Sequence, residues 1–451
     1  MTDAPSCCRL PESAPFHSYE DVIRHLDSLG LFHMDMGLGR MQRALRALGL
    51  DKLRCPAVQI VGTNGKGSTS AFLQSIAMAH GMNVGLYTSP HFVWPEERIQ
   101  LNHTMLPRRV WPSLAGNAVL AEKDLTYFEL LTVMAAAAFQ SSESDLMIFE
   151  AGLGGRYDAT TALPVDMVCF APIGMDHMNV LGDTLAAIAD DKSDALRPGV
   201  SVAVSAPQSG DARDVLFAKA EARGVPLCAS PSANGCDGTA AGKALWACLP
   251  DDLKACSALP DDAELGLRGR HQRMNAQTAV LAWVMLCQRY HWKTDGHTIA
   301  LGLKRAFIPG RLQFVPAGAD HPALWLDGAH NPHGMTALMA AVDDMREEER
   351  PGAIVFSCLA DKQPETLTAM VRELAAGMPI FVPGVKDNPR AATPDSLVAS
   401  LGPGASLSPT LRDALDSAGK EAHGKPVLVC GSLYLLSELF TLWPAFLKPS
   451  R

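Results

Sequence analysis

Short apolar runs alternate with longer stretches in which apolar positions recur at every third or fourth residue, along the whole chain. That alternation predicts an α/β fold on parallel sheets, whose strands are buried on both faces and covered by helices. The strand candidates of the first part are VQIV (58–61), NVGLYT (83–88), DLMIFE (145–150), DMVCFAPI (166–173) and SVAVS (201–205). Helical periodicity fills 70–80, 185–196 and 274–290. The stretch 209–265, rich in Ala, Gly, Ser, Pro and Asp, is expected to be weakly structured or peripheral. At Phe307-Ile308-Pro309-Gly310-Arg311 a Pro-Gly break interrupts the pattern. A second series of strands follows it: ALWLDG (323–328), AIVFSCL (353–359), PIFVPG (379–384) and PVLVCGS (426–432). The expectation is two domains, 1–308 and a smaller 309–451, with neither an internal repeat nor a heptad run.

Size agrees, since 451 residues are too many for one ordinary core. Hydrophobic residues make up 47% and charged ones 19%, enough to bury large cores. A net charge of −9 advertises no basic surface, so neither nucleic acid nor an anionic membrane is expected as a partner. The eleven cysteines include no C-x-x-C pair, which fits reduced, mostly buried thiols of the cytoplasm. The start, MTDAPSCCRLPES, has no signal-peptide character. The longest apolar run, LLTVMAAAAF (130–139), is about half of what crossing a bilayer needs.

The candidate chemistry begins at VQIVGTNGKGSTSAF (58–72). The usual phosphate loop, G-x-x-x-x-G-K-[ST], places the hydroxyl directly after the lysine. Here Gly67 intervenes between Lys66 and Ser68-Thr69. The context is nevertheless a β-branched strand before and a periodic helix after. Gly62, Gly65 and Gly67 would let backbone N–H groups face phosphate oxygens, and Lys66 would add a point charge. Alone, the motif fits a glycine turn with a solvated lysine equally well. Two further strand ends change the balance. DLMIFE closes on Glu150 before the glycine-rich 151–156, where nucleotide-bound Mg²⁺ is commonly held, and Asp176-His177 follows the next strand.

At this point the chain resembles a known family. GTNGKGST (62–69), TSPHFVWPEERIQLN (88–102), LTYFE (125–129), EAGLGGRYDAT (150–160), DHMNVLG (176–182), HQRMNA (271–276), PGRLQ (309–313), LDGAHNPHG (326–334), DKQ (361–363) and CGSL (430–433) match in order. They are similar to the folylpolyglutamate synthase family of the Mur-ligase superfamily, in its bifunctional bacterial branch. The resemblance implies a P-loop parallel-sheet ATPase domain and a smaller Rossmann-like C-terminal α/β domain. It accounts for Gly67, since the family loop is G-T-N-G-K-G-[ST].

The resemblance also implies an activity: ATP-dependent joining of L-glutamate to dihydropteroate and to tetrahydrofolates through an acyl phosphate, by a monomer. ATP would be bound by Gly62, Thr63, Asn64, Gly65, Lys66, Gly67, Ser68, Thr69, Asn275, Arg311 and Asp327. Of two Mg²⁺ ions, one would take Ser89 and Glu150 and the second Glu150 and His177, aided by a carbamate on Lys192. The family pattern E-K-A-G around that lysine is here Asp191-Lys192-Ser193-Asp194, and Thr161 replaces the usual Asn. The dihydropteroate pocket would draw on Ser28, Leu29, Gly30, Leu31, Thr126, Tyr127, Phe128, Glu129, Tyr157, Asp158 and Ala159. His330 and Ser432 would receive glutamate, with Lys66, Lys192 and His330 as the catalytic set. A monofunctional folylpolyglutamate synthase, another Mur-type amino-acid ligase and a non-catalytic nucleotide-binding regulator stay open as alternatives. A simple P-loop kinase leaves the second domain without a role.

Overall fold

The computed structural model describes residues 15–30, 35–232, 235–260, 262–385 and 390–449. The chain divides into two compact units: 1–264 with 274–306, and 265–273 with 307–451. The change of unit at 306/307 falls just before the Pro309-Gly310 break. The segment 265–273 goes with the second unit, whereas the sequence reading left it in the first.

The first unit is built on nine strands: β1 (Ala57–Val61), β2 (Val84–Tyr87), β3 (Ile99–Leu101), β4 (Thr104–Met105), β5 (Leu146–Glu150), β6 (Met167–Phe170), β7 (Val202–Ser205), β8 (Leu227–Ser232) and β9 (Gly235–Gly238). Their order is β4-β3-β2-β5-β1-β6-β7-β8-β9. The centre from β2 to β8 is parallel, and β3, β4 and β9 add antiparallel edges. Every residue of β1, β2, β5, β6 and β7 is buried, which is why these strands read as unbroken apolar runs. The helix Tyr127–Ser141 packs Phe139 against Phe149 of β5, with ring centroids 5.7 Å apart, and against Gly85 of β2. A Cβ at Gly85 would stand 2.4 Å from the Phe139 ring, so the core admits only glycine there.

The stretch 209–265 corrects its expectation. It holds the helix Gly210–Ala222, β8, β9 and the helices Ala240–Ala247 and Asp251–Cys256. Small residues allow the close contacts: a Cβ at Gly242 would lie 2.0 Å from the Leu227 carbonyl oxygen. The expectation of weak structure fails because tertiary packing overrode composition, while the peripheral place holds, since β8 and β9 end the sheet. The helices Tyr19–Leu29 and Gly39–Ala47 went unread as well. The first carries a capping box between Ser18 and Asp21, a spacing that was visible in the sequence.

The segment after β2 is held by buried charge. Glu97 accepts hydrogen bonds from the backbone N–H groups of Phe92 (2.8 Å), Val93 (2.6 Å) and Trp94 (2.7 Å). Arg98 donates to His91 Nδ1 at 2.8 Å. Glu97→Ala removes the acceptor of three partly buried donors and is expected to destabilise the first unit by about 2 kcal/mol, read from urea unfolding.

The second unit has six strands: β10 (Gln313–Val315), β11 (Leu324–Leu326), β12 (Ala353–Phe356), β13 (Ile380–Pro383), β14 (Ala405–Ser408) and β15 (Val427–Cys430). They run in the order β10-β11-β15-β12-β13-β14, parallel except for the β10–β11 pair. This is the expected smaller α/β domain. Nine described cysteines are free thiols, six of them buried; Cys7 and Cys8 lie outside the described residues.

Candidate active site

β1 lies between β5 and β6, and its loop therefore emerges between theirs. Ile60 pairs with Glu150 on one side and Val61 with Phe170 on the other. The strand order reverses around β1, and such a switch point opens a crevice at the carboxyl ends of the strands. Three sequence candidates, Lys66, Glu150 and His177, sit on the segments leaving these three strands.

The helix after β1 is Lys66–Ala79, so it begins inside the motif, earlier than the expected 70. Gly65 is its N-cap with φ +80°, the only motif glycine with a positive φ. A Cβ there would lie 2.3 Å from Asn275 Oδ1, which brings the candidate adenine-binding Asn275 against the loop. At Gly62 the backbone passes so close to Ala171 that a Cβ would meet it at 2.8 Å. Thr63 and Asn64 donate their N–H groups to the Pro172 carbonyl at 2.9 and 3.2 Å. The amides left for an anion are thus those of the first helical turn, Gly67 and Ser68 among them, which lack intrahelical acceptors. Ser68 and Thr69 are buried in this turn.

Two lysines meet at one carbonyl. Lys66 Nζ donates to the Gly62 and Thr63 oxygens, both at 3.2 Å, and Lys192 Nζ donates to the Gly62 oxygen at 3.0 Å. Lys192 is 4% exposed. Burial, with the Lys66 charge as the next cause, pushes its ammonium down to about 7. The solvated-helix reading of this lysine is therefore set aside.

Glu150 is buried at the end of β5, and the Ser89 N–H donates to its Oε2 at 3.2 Å. A buried carboxylate fits a hard cation that keeps most of its waters. His177 is the odd member of the donor set, an imidazole with half its side chain exposed, its Nε2 3.9 Å from Asp176 Oδ2. Among the described residues, no three His, Cys, Asp or Glu side chains form a ready-made metal cage.

The pteroate candidates divide by task. Glu129 is buried, accepts from the Thr126 N–H at 2.8 Å and pairs with Arg40 at 3.1 Å, so it builds the helix start. Asp158 accepts from the Leu153 N–H (2.8 Å) and from Thr160 Oγ1 (2.5 Å), and burial raises its carboxyl above the usual range. Thr161, the departure from the family pattern, accepts from the buried Gln59 amide at 2.8 Å. Phe128 covers Gly152, whose Cβ would stand 2.8 Å from the ring, and Tyr157 is exposed. Ser28 closes the first helix by donating to the His25 carbonyl, Leu29 and Gly30 follow it, and Leu31 lies outside the described residues.

A cavity of about 520 Å³ opens beside these segments, lined by Tyr19, Ile23, Asp27, His91, Val93, Trp94, Pro95, Arg108 and Tyr127. Only Tyr127 was singled out from the sequence. Because His91 Nδ1 accepts from Arg98, its Nε2 carries the proton; burial, then the Arg98 charge, holds its pKa down to about 3. The charged run 96–98, next to Pro95 in the chain, is buried.

In the second unit Asp327, at the end of β11, accepts from the N–H groups of Leu312 and Ala329, each at 2.8 Å. Burial raises its carboxyl, opposed by the nearby Arg311 guanidinium. His330 Nδ1–H donates to the Gly328 carbonyl at 2.7 Å, which leaves Nε2 as the acceptor nitrogen of the neutral ring. Ser432 is buried and caps the helix Leu433–Leu442, accepting from the Tyr434 N–H.

Known proteins agree with this picture. Residues 310–433 match the Mur ligase, glutamate ligase domain family. The chain is 31% identical to a Bacillus subtilis dihydrofolate synthase/folylpolyglutamate synthase, over 94% of this chain and 99% of that one. An Escherichia coli protein of the same name is 29% identical over 96% of each. The solved structure of E. coli FolC in complex with DHPP and ADP superposes with a TM-score of 0.78 at 25% identity, covering 95% and 98% of the two chains. No described helix is long and apolar enough to cross a membrane. With this identity sustained over nearly the full length of both sequences, the chain belongs to the dihydrofolate synthase/folylpolyglutamate synthase family.

Proposed function

We propose that one active site makes two amide bonds, joining L-glutamate to dihydropteroate and to the γ-carboxylate of tetrahydrofolates at the expense of ATP. The observation that carries this is that Lys66 and Lys192 both donate to the Gly62 carbonyl on the loop after β1, next to β5, which ends on the buried Glu150. A carboxylate is a poor electrophile and glutamate's amine is mostly protonated at neutral pH, so direct condensation is blocked. The acceptor carboxylate instead attacks the γ-phosphorus of ATP, the bond to the β–γ bridging oxygen breaks, and ADP leaves. The deprotonated amine of glutamate then adds to the acyl carbon, and the tetrahedral adduct expels phosphate.

Each residue has a task in this scheme. Lys66 and the first-turn amides hold the phosphates and offset the charge that gathers on the transferring group. Asn275 reads the adenine, and Arg311 and Asp327 are further candidates for nucleotide binding. Mg²⁺ bound to Ser89 and Glu150, and a second ion on Glu150, His177 and a Lys192 carbamate, would neutralise phosphate oxygens. His330, through Nε2, and Ser432 orient glutamate. The aromatic walls of the 520 Å³ cavity, next to Asp27 and Tyr127, suit a flat conjugated acceptor.

A carbamate forms when the neutral Lys192 amine attacks CO₂; the C–N bond forms and the ammonium proton passes to water. An amine titrating near 7 is neutral above that pH and protonated below it. Enzyme stripped of CO₂ is therefore expected to recover activity about tenfold faster at pH 8 than at pH 6 under a fixed CO₂ pressure. Recovery that ignores pH, or needs no CO₂, removes the carbamate from the scheme.

Bifunctionality is tested by phosphate release with dihydropteroate and tetrahydrofolate in parallel, each with glutamate. Release with both is expected. Release with tetrahydrofolate alone makes the enzyme monofunctional, and release only with a UDP-linked muropeptide overturns the acceptor class.

A further inference from the structure

The loop that follows Glu150 is joined to the helix carrying Lys192 by contacts that the scheme above leaves unused. The Gly155 N–H donates to Asp191 Oδ1 at 2.9 Å. A Cβ at Gly155 would stand 2.4 Å from the Lys192 carbonyl oxygen, so the two backbones touch. Arg156 then grips the helix twice, from Nε to Asp194 Oδ2 at 2.5 Å and from Nη2 to Asp190 Oδ2 at 2.6 Å. Its own carbonyl accepts from Arg197 at 2.7 Å. The helix Gly210–Ala222 and the residue after it complete the ring: Lys219 reaches Asp190 at 2.6 Å and Asp194 at 3.1 Å, and Arg223 donates to Asp194.

Residues four apart share one helix face, so Asp190 and Asp194 point together, while Lys192 midway between them points to the opposite side. That opposite side is where its amine meets the Gly62 carbonyl. Pinning the acid face thus sets the rotation of the helix Leu185–Ser193, and with it the place of the lysine. Of the pins, Arg156 at 38% and Asp190 at 47% are partly exposed, where ion pairs contribute little to stability, whereas Asp194 is buried. Their effect is expected in geometry, where a displacement of about 1 Å costs on the order of a hundredfold in rate.

We propose that Arg156, with Asp190 and Asp194, is a positioning residue that aims Lys192 at the phosphate loop. The inference rests on Lys192 taking part in ligation. The test uses the full chain in magnesium buffer, with Arg156→Ala, Arg156→Lys, Asp194→Asn and Lys192→Ala. Arg156→Ala is expected to lower kcat by about ten- to a hundredfold with KM for ATP within about twofold and the thermal midpoint nearly unchanged. Arg156→Lys should restore part of that loss. After [¹³C]bicarbonate, the carbamate resonance should be strong in the wild type, absent in Lys192→Ala and weakened in Arg156→Ala. Asp194→Asn, which keeps the side-chain volume, should behave like Arg156→Ala and serves if the latter does not fold.

Wild-type kcat and a wild-type ¹³C signal in Arg156→Ala and Asp194→Asn, with Lys192→Ala inactive, overturn the clamp alone. A kcat loss that only tracks the folded fraction overturns it as well. Full activity in Lys192→Ala removes the reading of the lysine on which the clamp rests.

Discussion

Lys66→Ala is expected to lower kcat/KM by about a thousandfold or more while the protein stays folded. The ammonium lies over the loop on two carbonyl oxygens, so its loss exposes no apolar core. What disappears is a cation placed where charge builds up on the transferring phosphoryl group, in a site where it need not reorganise. Lys66→Arg tests whether charge alone suffices. The longer guanidinium cannot occupy the same space between the Gly62 and Thr63 carbonyls, and little rescue is expected. Circular dichroism and the thermal midpoint report folding; turnover at saturating substrates reports the chemistry.

Glu150→Ala is expected to abolish turnover to a similar depth. The carboxylate is buried at the end of a parallel strand, and the Ser89 N–H is its neighbour. Burying a carboxylate carries a desolvation cost, so its removal should leave stability almost unchanged or raise it slightly. A structural acid would show the opposite pattern, a lower thermal midpoint with activity retained in the folded fraction. Raised Mg²⁺ should not restore Glu150→Ala, because the lost group is a ligand and the hydroxyl of Ser89 cannot hold the ion by itself.

The parts that sequence made legible share one physical trait. Strands buried on both faces appear as unbroken apolar runs, and their ends carry Lys66, Glu150 and the segment of His177. Glycines that admit a close neighbour were also readable, and of Gly62, Gly65 and Gly67 only Gly65 carries a positive φ. Lys192 was reachable only through resemblance, since the local string Asp191-Lys192-Ser193-Asp194 describes a solvated helix. Its burial depends on partners far along the chain, Gly62 and Arg156, that no local window contains.

The acceptor pocket was the hardest part to read. Motif membership did not separate Glu129 and Asp158, which fix backbone, from residues with a surface left for a ligand. The charges at 96–98 are buried, although the same letters usually mark a wet surface. The edge region 209–265 was missed for a related reason: small residues look unstructured until their close packing is seen.

The account depends on the acceptor carboxylate being phosphorylated before the amide forms. Dihydropteroate labelled with ¹⁸O in its carboxylate, turned over with ATP and glutamate, tests that step directly by mass analysis of the released phosphate. One ¹⁸O atom carried into each phosphate is the predicted result; phosphate free of label would contradict it.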